Sequence, residues 1–113
     1  MNVIIAGSRT FEDYNILLDC IVQANINITK VISGGASGVD KLGERYATEN
    51  NKMLEVHLAQ WNVHGKAAGP IRNRQMAAVA DGLIALWDGK SPGTKNMIDE
   101  AKKKNLVVYV RMI

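Results

Sequence analysis

The amino-acid sequence predicts an α/β fold, a sheet of parallel strands covered by helices on both faces. Two observations carry this. Short continuous apolar runs recur along the chain, the pattern of strands buried on both sides. Between them lie stretches whose apolar residues recur at helical spacing. Strand and helix alternate from end to end with no repeat, linker or low-complexity segment, which is the sequence signature of a layered sheet.

The first strand is read at Asn2–Ala6, stopping at Gly7. A helix follows, marked by Tyr14, Leu17, Leu18, Ile21 and Val22, with Thr10 and Asp13 at the spacing of a capping box. Lys30–Ser33 is the second strand, stopping at Gly34. The next helix carries Val39, Leu42, Tyr46 and Ala47 and is begun by Ser37, with Asp40 three residues on. Met53–Leu58 is the third strand. Pro70 suits a first helical position before the helix Arg72–Ala80. Gly82–Trp87 is the fourth strand and stops at Asp88-Gly89. Ser91-Pro92 opens the last helix, whose final turn, Lys102-Lys103-Lys104, complements the negative end of the helix dipole. Leu106–Val110 closes the sheet.

Composition bounds the setting. The chain has 113 residues, of which 47% are apolar, enough for one core, so one domain over residues 1–113 is expected. Cys20 is the lone cysteine, which excludes an internal disulfide and fits a reducing compartment. It shares a helical face with Leu17, Ile21 and Ala24 and is read as a buried structural thiol. The apolar run Val3–Ala6 is too short for a signal peptide and no stretch reaches membrane-spanning length, so the expected location is cytoplasmic. A net charge of +3 biases the chain mildly toward anionic partners.

Ligands of such sheets bind beyond the carboxyl ends of the strands, near the point where strand order reverses. Gly7-Ser8-Arg9-Thr10 follows the first strand and Gly34-Gly35-Ala36-Ser37-Gly38 the second. Gln60-Trp61 and then Gly65 to Pro70 follow the third, and Asp88 to Thr94 the fourth. Glycines, hydroxyls and cations thus gather on one edge of the sheet, while the opposite edge receives plain helix ends. The expectation is that the glycines let backbone amides and a helix N-terminus reach an anion, a phosphate above all. The alternative for Gly34, Gly35 and Gly38 is tight turns and close helix packing, since the stretch fits neither GxGxxG nor the P-loop pattern. Asp40 near a helix start would repel a phosphate unless it caps the helix or binds a sugar hydroxyl.

The stretches GSRTF, SGGASGVD, AAGPIRNRQM and LWDGKSPGT, in this order, resemble the SLOG superfamily. That Rossmann-like group includes the LOG-type nucleotide phosphoribohydrolases and the DNA-processing Smf proteins. The likeness spans nearly the whole chain and is greatest to small single-domain bacterial and phage members of undefined activity. It implies a Rossmann-like three-layer fold with a five-stranded, mostly parallel sheet of order 3-2-1-4-5, and a site for a nucleotide or nucleotide-derived ligand. The candidate ligand-binding residues are Gly7, Ser8, Arg9, Ser33, Gly34, Gly35, Ala36, Ser37, Gly38, Asp40, Arg72, Asn73, Asp88, Gly93 and Thr94.

The resemblance also bears on catalysis. The LOG segment R-K-x-x-M is matched by Arg72-Asn73-Arg74-Gln75-Met76, with Asn73 in place of the lysine. The motif P-G-G-x-G-T-x-x-E is matched only at Gly93-Thr94, and Met97 stands where that family has its catalytic glutamate. A thioether can neither accept a proton from water nor support a developing sugar cation. The leading expectation is therefore a binding or sensing domain for a nucleotide-like small molecule. The alternative is a hydrolase acting at an N-glycosidic bond with Asp88 or Asp40 as an unconventional carboxylate. Less favoured is single-stranded DNA binding through Arg9, Lys66, Arg72 and Arg74, since an aromatic content of 5% offers few stacking platforms.

No cofactor and no metal are expected: His57 and His64 lack the carboxylate or cysteine company of a metal site. Trp61 is read as either stacking on a base or packing against the third helix, and Trp87 as core. Association between copies of the chain is left open, and no membrane partner is expected.

Overall fold

The computed structural model describes residues 1–113. Its sheet has five strands in the order β3-β2-β1-β4-β5: β1 (Asn2–Gly7), β2 (Lys30–Ser33), β3 (Met53–Val56), β4 (Gly82–Trp87) and β5 (Val107–Met112). Every neighbouring pair is parallel. The helices are α1 (Tyr14–Ala24), α2 (Val39–Glu49), the one-turn α3 (Trp61–His64), α4 (Ala68–Val79) and α5 (Pro92–Lys103), with a 3₁₀ turn at Gly65–Ala67. This is the Rossmann-like order that the resemblance implied.

Strand alternation divides the core in two. Val3 and Ile5 of β1 and Ile84 and Leu86 of β4 face Leu17 and Cys20 of α1 and Val39 and Ala47 of α2. Ile4, Ala6, Leu83 and Ala85 face the other way, against Met76 of α4 and Met97, Ile98 and Ala101 of α5. Burying each of these larger side chains stabilises the fold by roughly 1.5–3 kcal/mol. The chain winds from β1 outward to β3, then returns to place β4 on the other side of β1. The reversal leaves a crevice outside the carboxyl ends of β1 and β4, where Gly7 pairs with Leu86.

Several local readings are corrected. The strands buried on both faces are β1, β2 and β4; at the edges, Met53, Leu54 and Val56 of β3 and Val107 and Val110 of β5 are exposed, because each edge strand has a neighbour on one side only. β3 ends at Val56, and β5 runs to Met112. Val22 is exposed, outside the buried face of α1. The cap of α1 is Asp13, whose carboxylate accepts from the Ile16 amide at 3.3 Å; Thr10 lies too far back and pairs its hydroxyl with Ser8.

Gly38, not Ser37, precedes α2 and offers no side-chain cap. Asp40 of its first turn instead reaches back to the Ala36 amide at 3.2 Å. Residues 61–67, read as loop, are helical turns, and α4 begins at Ala68. Pro70 is still in its first turn, where a missing amide leaves no bond unmade. The Ser91-Pro92 start of α5 and its lysine-rich end are as expected. No helix is long and apolar enough to cross a membrane.

Candidate functional site

Arg72 projects from α4 at the carboxyl edge of the sheet. Its Nη1 donates to the Gly34 carbonyl at 2.7 Å and its Nε to Asn73 Oδ1 at 3.0 Å. Arg9, from the loop after β1, is exposed and makes no hydrogen bond or ion pair within the chain. Both arginines border three lobes of one depression, of about 510, 320 and 50 Å³.

The largest lobe carries the electrostatics of an anion site. Arg9, Lys66 and Arg72 line it, and no carboxylate does. Its far wall is the start of α5, where the Gly93 amide has no acceptor within the chain; the Thr94 amide, also without one, lies beside the smallest lobe. Such first-turn amides, together with the helix dipole, favour negative charge. Gly93 has no internal steric reason to be glycine. Its φ is ordinary, and a Cβ there would meet nothing within 4 Å. A glycine that weakens a helix by about 1 kcal/mol relative to alanine here leaves the lobe's wall open.

The glycine-rich loop behaves differently, and each of its glycines answers to the protein itself. A Cβ on Gly34 would lie 2.6 Å from Arg72 Nη1 and 2.8 Å from Asp40 Oδ2. Gly35 has a φ of +73°, and its Cβ would press on Leu58. Gly38, with a φ of +75°, would overlap the carbonyls of Ser8 and Arg9. Two amides of the loop are also taken up internally, Gly35 by Ser33 Oγ at 3.1 Å and Ala36 by Asp40 Oδ2. Turns and packing thus suffice to explain these glycines, while the amides of Gly34, Ser37 and Gly38, like those of Gly93 and Thr94, have no acceptor within the chain.

Asn73 is buried and fully engaged. Its Oδ1 accepts from Arg72, while its Nδ2 donates to the Gly93 carbonyl at 3.2 Å and to Asn96 Oδ1 at 2.9 Å. It ties the arginine to the start of α5 and has no hydrogen left for a ligand. Thr94 is buried, its hydroxyl on Ser91 Oγ.

Asp40, only 5% exposed, borders the smallest lobe and is the one carboxylate lining any of the three. Burial pushes its pKa up to about 6, against the lowering effects of the Ala36 amide and Arg72; Glu44 adds to the rise. Burial likewise lowers the pKa of Arg72, which stays charged. Met97 is buried on the wall of the same lobe, within the apolar cluster of Met76 and Ile4.

Four candidates stand away from the depression. Ser8 and Ser33 are buried beneath it, with Ser33 Oγ donating to Glu44 Oε2 at 2.7 Å. Gly38 packs under the loop after β1. Asp88 closes its own turn, accepting from the amides of Lys90 and Ser91 at 2.8 Å each. Those amides hold its carboxyl below the usual range. Gly7, Ala36 and Ser37 line the depression with Gly34 and Gly35.

Asn96 was missed. It lines the large lobe three residues after Gly93, a helical spacing that was available in the sequence. Trp61 lies between the two alternatives weighed for it: half exposed, with its Cη2 edge toward Gly69. Trp87 is partly buried, its indole donating to the Ser91 carbonyl. His57 pairs with Glu55, and no three His, Cys, Asp or Glu side chains gather where they could hold a metal ion.

The sequence profile of the YAcAr family, described as the YspA, cpYpsA-related SLOG family, matches residues 1–64. That segment runs from β1 through α3 and so includes the loops after β1 and β2. The Gene 61 protein of Mycobacterium phage D29 is 35% identical over 116 residues, covering 94% of this chain and 92% of its own. Among solved structures, the DNA processing protein A (DprA) of Streptococcus pneumoniae superposes with a TM-score of 0.74 at 18% identity. The match covers 96% of this chain and 49% of that protein, so the chain spans about half its length.

Proposed function

The chain belongs to the YspA, cpYpsA-related SLOG family, and on that premise we propose that it binds a small phosphate-bearing ligand of nucleotide type in the depression outside β1 and β4. One observation carries the reading: three cations and the start of α5, with the unpartnered Gly93 amide, face the same lobe, and no carboxylate does. The SLOG resemblance supplies the nucleotide class; the charge supplies the phosphate. Arg72 grips the anion from one side and the Gly93-Thr94 amides from the other, with Asn73 setting the distance between them. Arg9 and Lys66 supply further charge from the open side.

Calorimetric titration with ribose 5-phosphate tests this. A charge-assisted hydrogen bond contributes about 1.5–3 kcal/mol, so Arg72→Ala should weaken binding roughly 10- to 100-fold. Arg72→Lys should recover only part, because an ammonium cannot fork onto two oxygens. Equal affinity in the parent and Arg72→Ala would remove Arg72 from the site.

A second reading has its own observation, the buried Asp40 beside the arginines. If the chain hydrolyses an N-glycosidic bond, Asp40 is the carboxylate placed to assist, since Met97 cannot and Asp88 is engaged elsewhere. Release of free base from nucleoside monophosphates, abolished by Asp40→Asn, would favour it; absence of release leaves the binding role. DNA as the anion would declare itself through affinity for a polynucleotide that falls steeply with salt.

A further inference from the structure

We propose that the 320 Å³ lobe is a subsite for an aromatic base, with Trp61 as its stacking platform. The proposal rests on the nucleotide reading above and names the second half of the ligand.

Trp61 is 50% exposed, although a tryptophan gains more than most side chains from burial. It is carried by a segment that touches α4 but adds no residue to either apolar cluster of the core. Neither α3 nor the 3₁₀ turn after it has a buried residue. These turns present the indole to both the 510 and the 320 Å³ lobes. Gly69, in the first turn of α4, lets the ring lie close: a Cβ there would stand 3.3 Å from Trp61 Cη2. The indole is thus seated by its edge and left open elsewhere.

The rest of the lobe suits a flat apolar group. Leu58 is 68% exposed and seats against Gly35, whose missing Cβ makes the room. Arg9 and Arg72 border this lobe and the anion lobe alike. A molecule with its phosphate between Arg72 and α5 therefore has an apolar, aromatic-walled recess within reach of the same arginines. That pairing is the chemistry of a nucleotide and not of inorganic phosphate.

The test compares ligands that differ only by the base. AMP, GMP, CMP and UMP are titrated against ribose 5-phosphate, on the parent, Trp61→Ala and Trp61→Phe. Stacking on an aromatic side chain is sequence-tolerant. At least one monophosphate should therefore bind the parent roughly 5- to 100-fold tighter than ribose 5-phosphate. Trp61→Ala should erase that margin, bringing each monophosphate to the affinity ribose 5-phosphate has for the same variant, with the melting temperature near the parent's, and Trp61→Phe should restore most of it. Ribose 5-phosphate binding with no margin for any base, or a margin that survives Trp61→Ala, overturns the subsite and leaves the anion site standing. Failure of every probe to bind overturns both.

Discussion

Arg72 Nη1 donates to the carbonyl oxygen of Gly34 across 38 positions of sequence, at 2.7 Å. The contact exists because Gly34 has no side chain: a methyl there would lie 2.6 Å from the same nitrogen and 2.9 Å from the guanidinium carbon. The glycine of β2's loop is the seat of the arginine of α4.

Gly34→Ala should therefore act as a binding mutation. The clashing atoms belong to the ends of flexible side chains, so the fold persists while the guanidinium is displaced. Affinity for ribose 5-phosphate is expected to fall roughly 10- to 100-fold, as in Arg72→Ala. The double variant should lose little more than either single one, because residues in contact are not additive. Full additivity would separate the two residues.

Asp40 makes the pH dependence specific. Its folded pKa, about 6, lies above the ordinary 3.8. A raised carboxyl pKa contributes stability that is fully present below the ordinary value and lost as pH rises through the folded one. Asp40→Asn should accordingly be more stable than the parent at neutral pH, by on the order of 1–3 kcal/mol, with the gap closing below about pH 4. Anion affinity follows the same sign. The ratio of parent to variant affinity should fall as pH rises through about 6, when a negative charge forms beside the arginines. Denaturant titrations and calorimetry across that range check both; a ratio flat with pH removes Asp40 from the site.

Met97→Glu would restore the LOG-type carboxylate in sequence but not in circumstance. Met97 is 1% exposed and packs in the cluster of Met76 and Ile4. An unpaired carboxylate there should destabilise by on the order of 3–5 kcal/mol. Burial raises its pKa, so the deficit should be largest at neutral pH and shrink in acid, where the group is protonated. A variant as stable as the parent at neutral pH would show that position 97 reaches solvent or a cation.

Gly93 separates stability from binding in the opposite sense. A Cβ at this position meets nothing within 4 Å, so Gly93→Ala should leave the unfolding free energy unchanged or raise it by up to about 1 kcal/mol, through helix propensity. Gly93→Leu, projecting further into the lobe, should weaken ribose 5-phosphate binding without unfolding the chain. Undiminished binding in the leucine variant would move the anion away from α5.

The central sheet was legible because β1, β2 and β4 are buried on both faces and must be continuously apolar. The edge strands blurred: Leu58 lies past the end of β3, and Arg111 and Met112 extend β5, since an edge imposes no apolar pattern. α3 was invisible because none of its residues is buried and so none had to repeat at helical spacing. At the candidate site, the sequence placed the loops and Arg72 on one edge of the sheet but could not rank the glycines. Whether a missing Cβ faces a neighbouring chain segment, as at Gly34 and Gly38, or open space, as at Gly93, is decided by residues far away in sequence. Asp88 misled for a related reason, since its two amide partners lie two and three residues on and form a turn that reads as a loop of free polar groups.

The amide spectrum of the ¹⁵N-labelled chain during titration with ribose 5-phosphate tests the anion site most directly. The Gly93 and Thr94 amides, open at the start of α5, should show the largest downfield shifts, saturating with the calorimetric affinity. Gly35 and Ala36, whose amides are already bonded to Ser33 and Asp40, should move little. Saturable shifts centred on Gly35 to Gly38, with Gly93 and Thr94 unmoved, would contradict the assignment and return the phosphate to the glycine-rich loop.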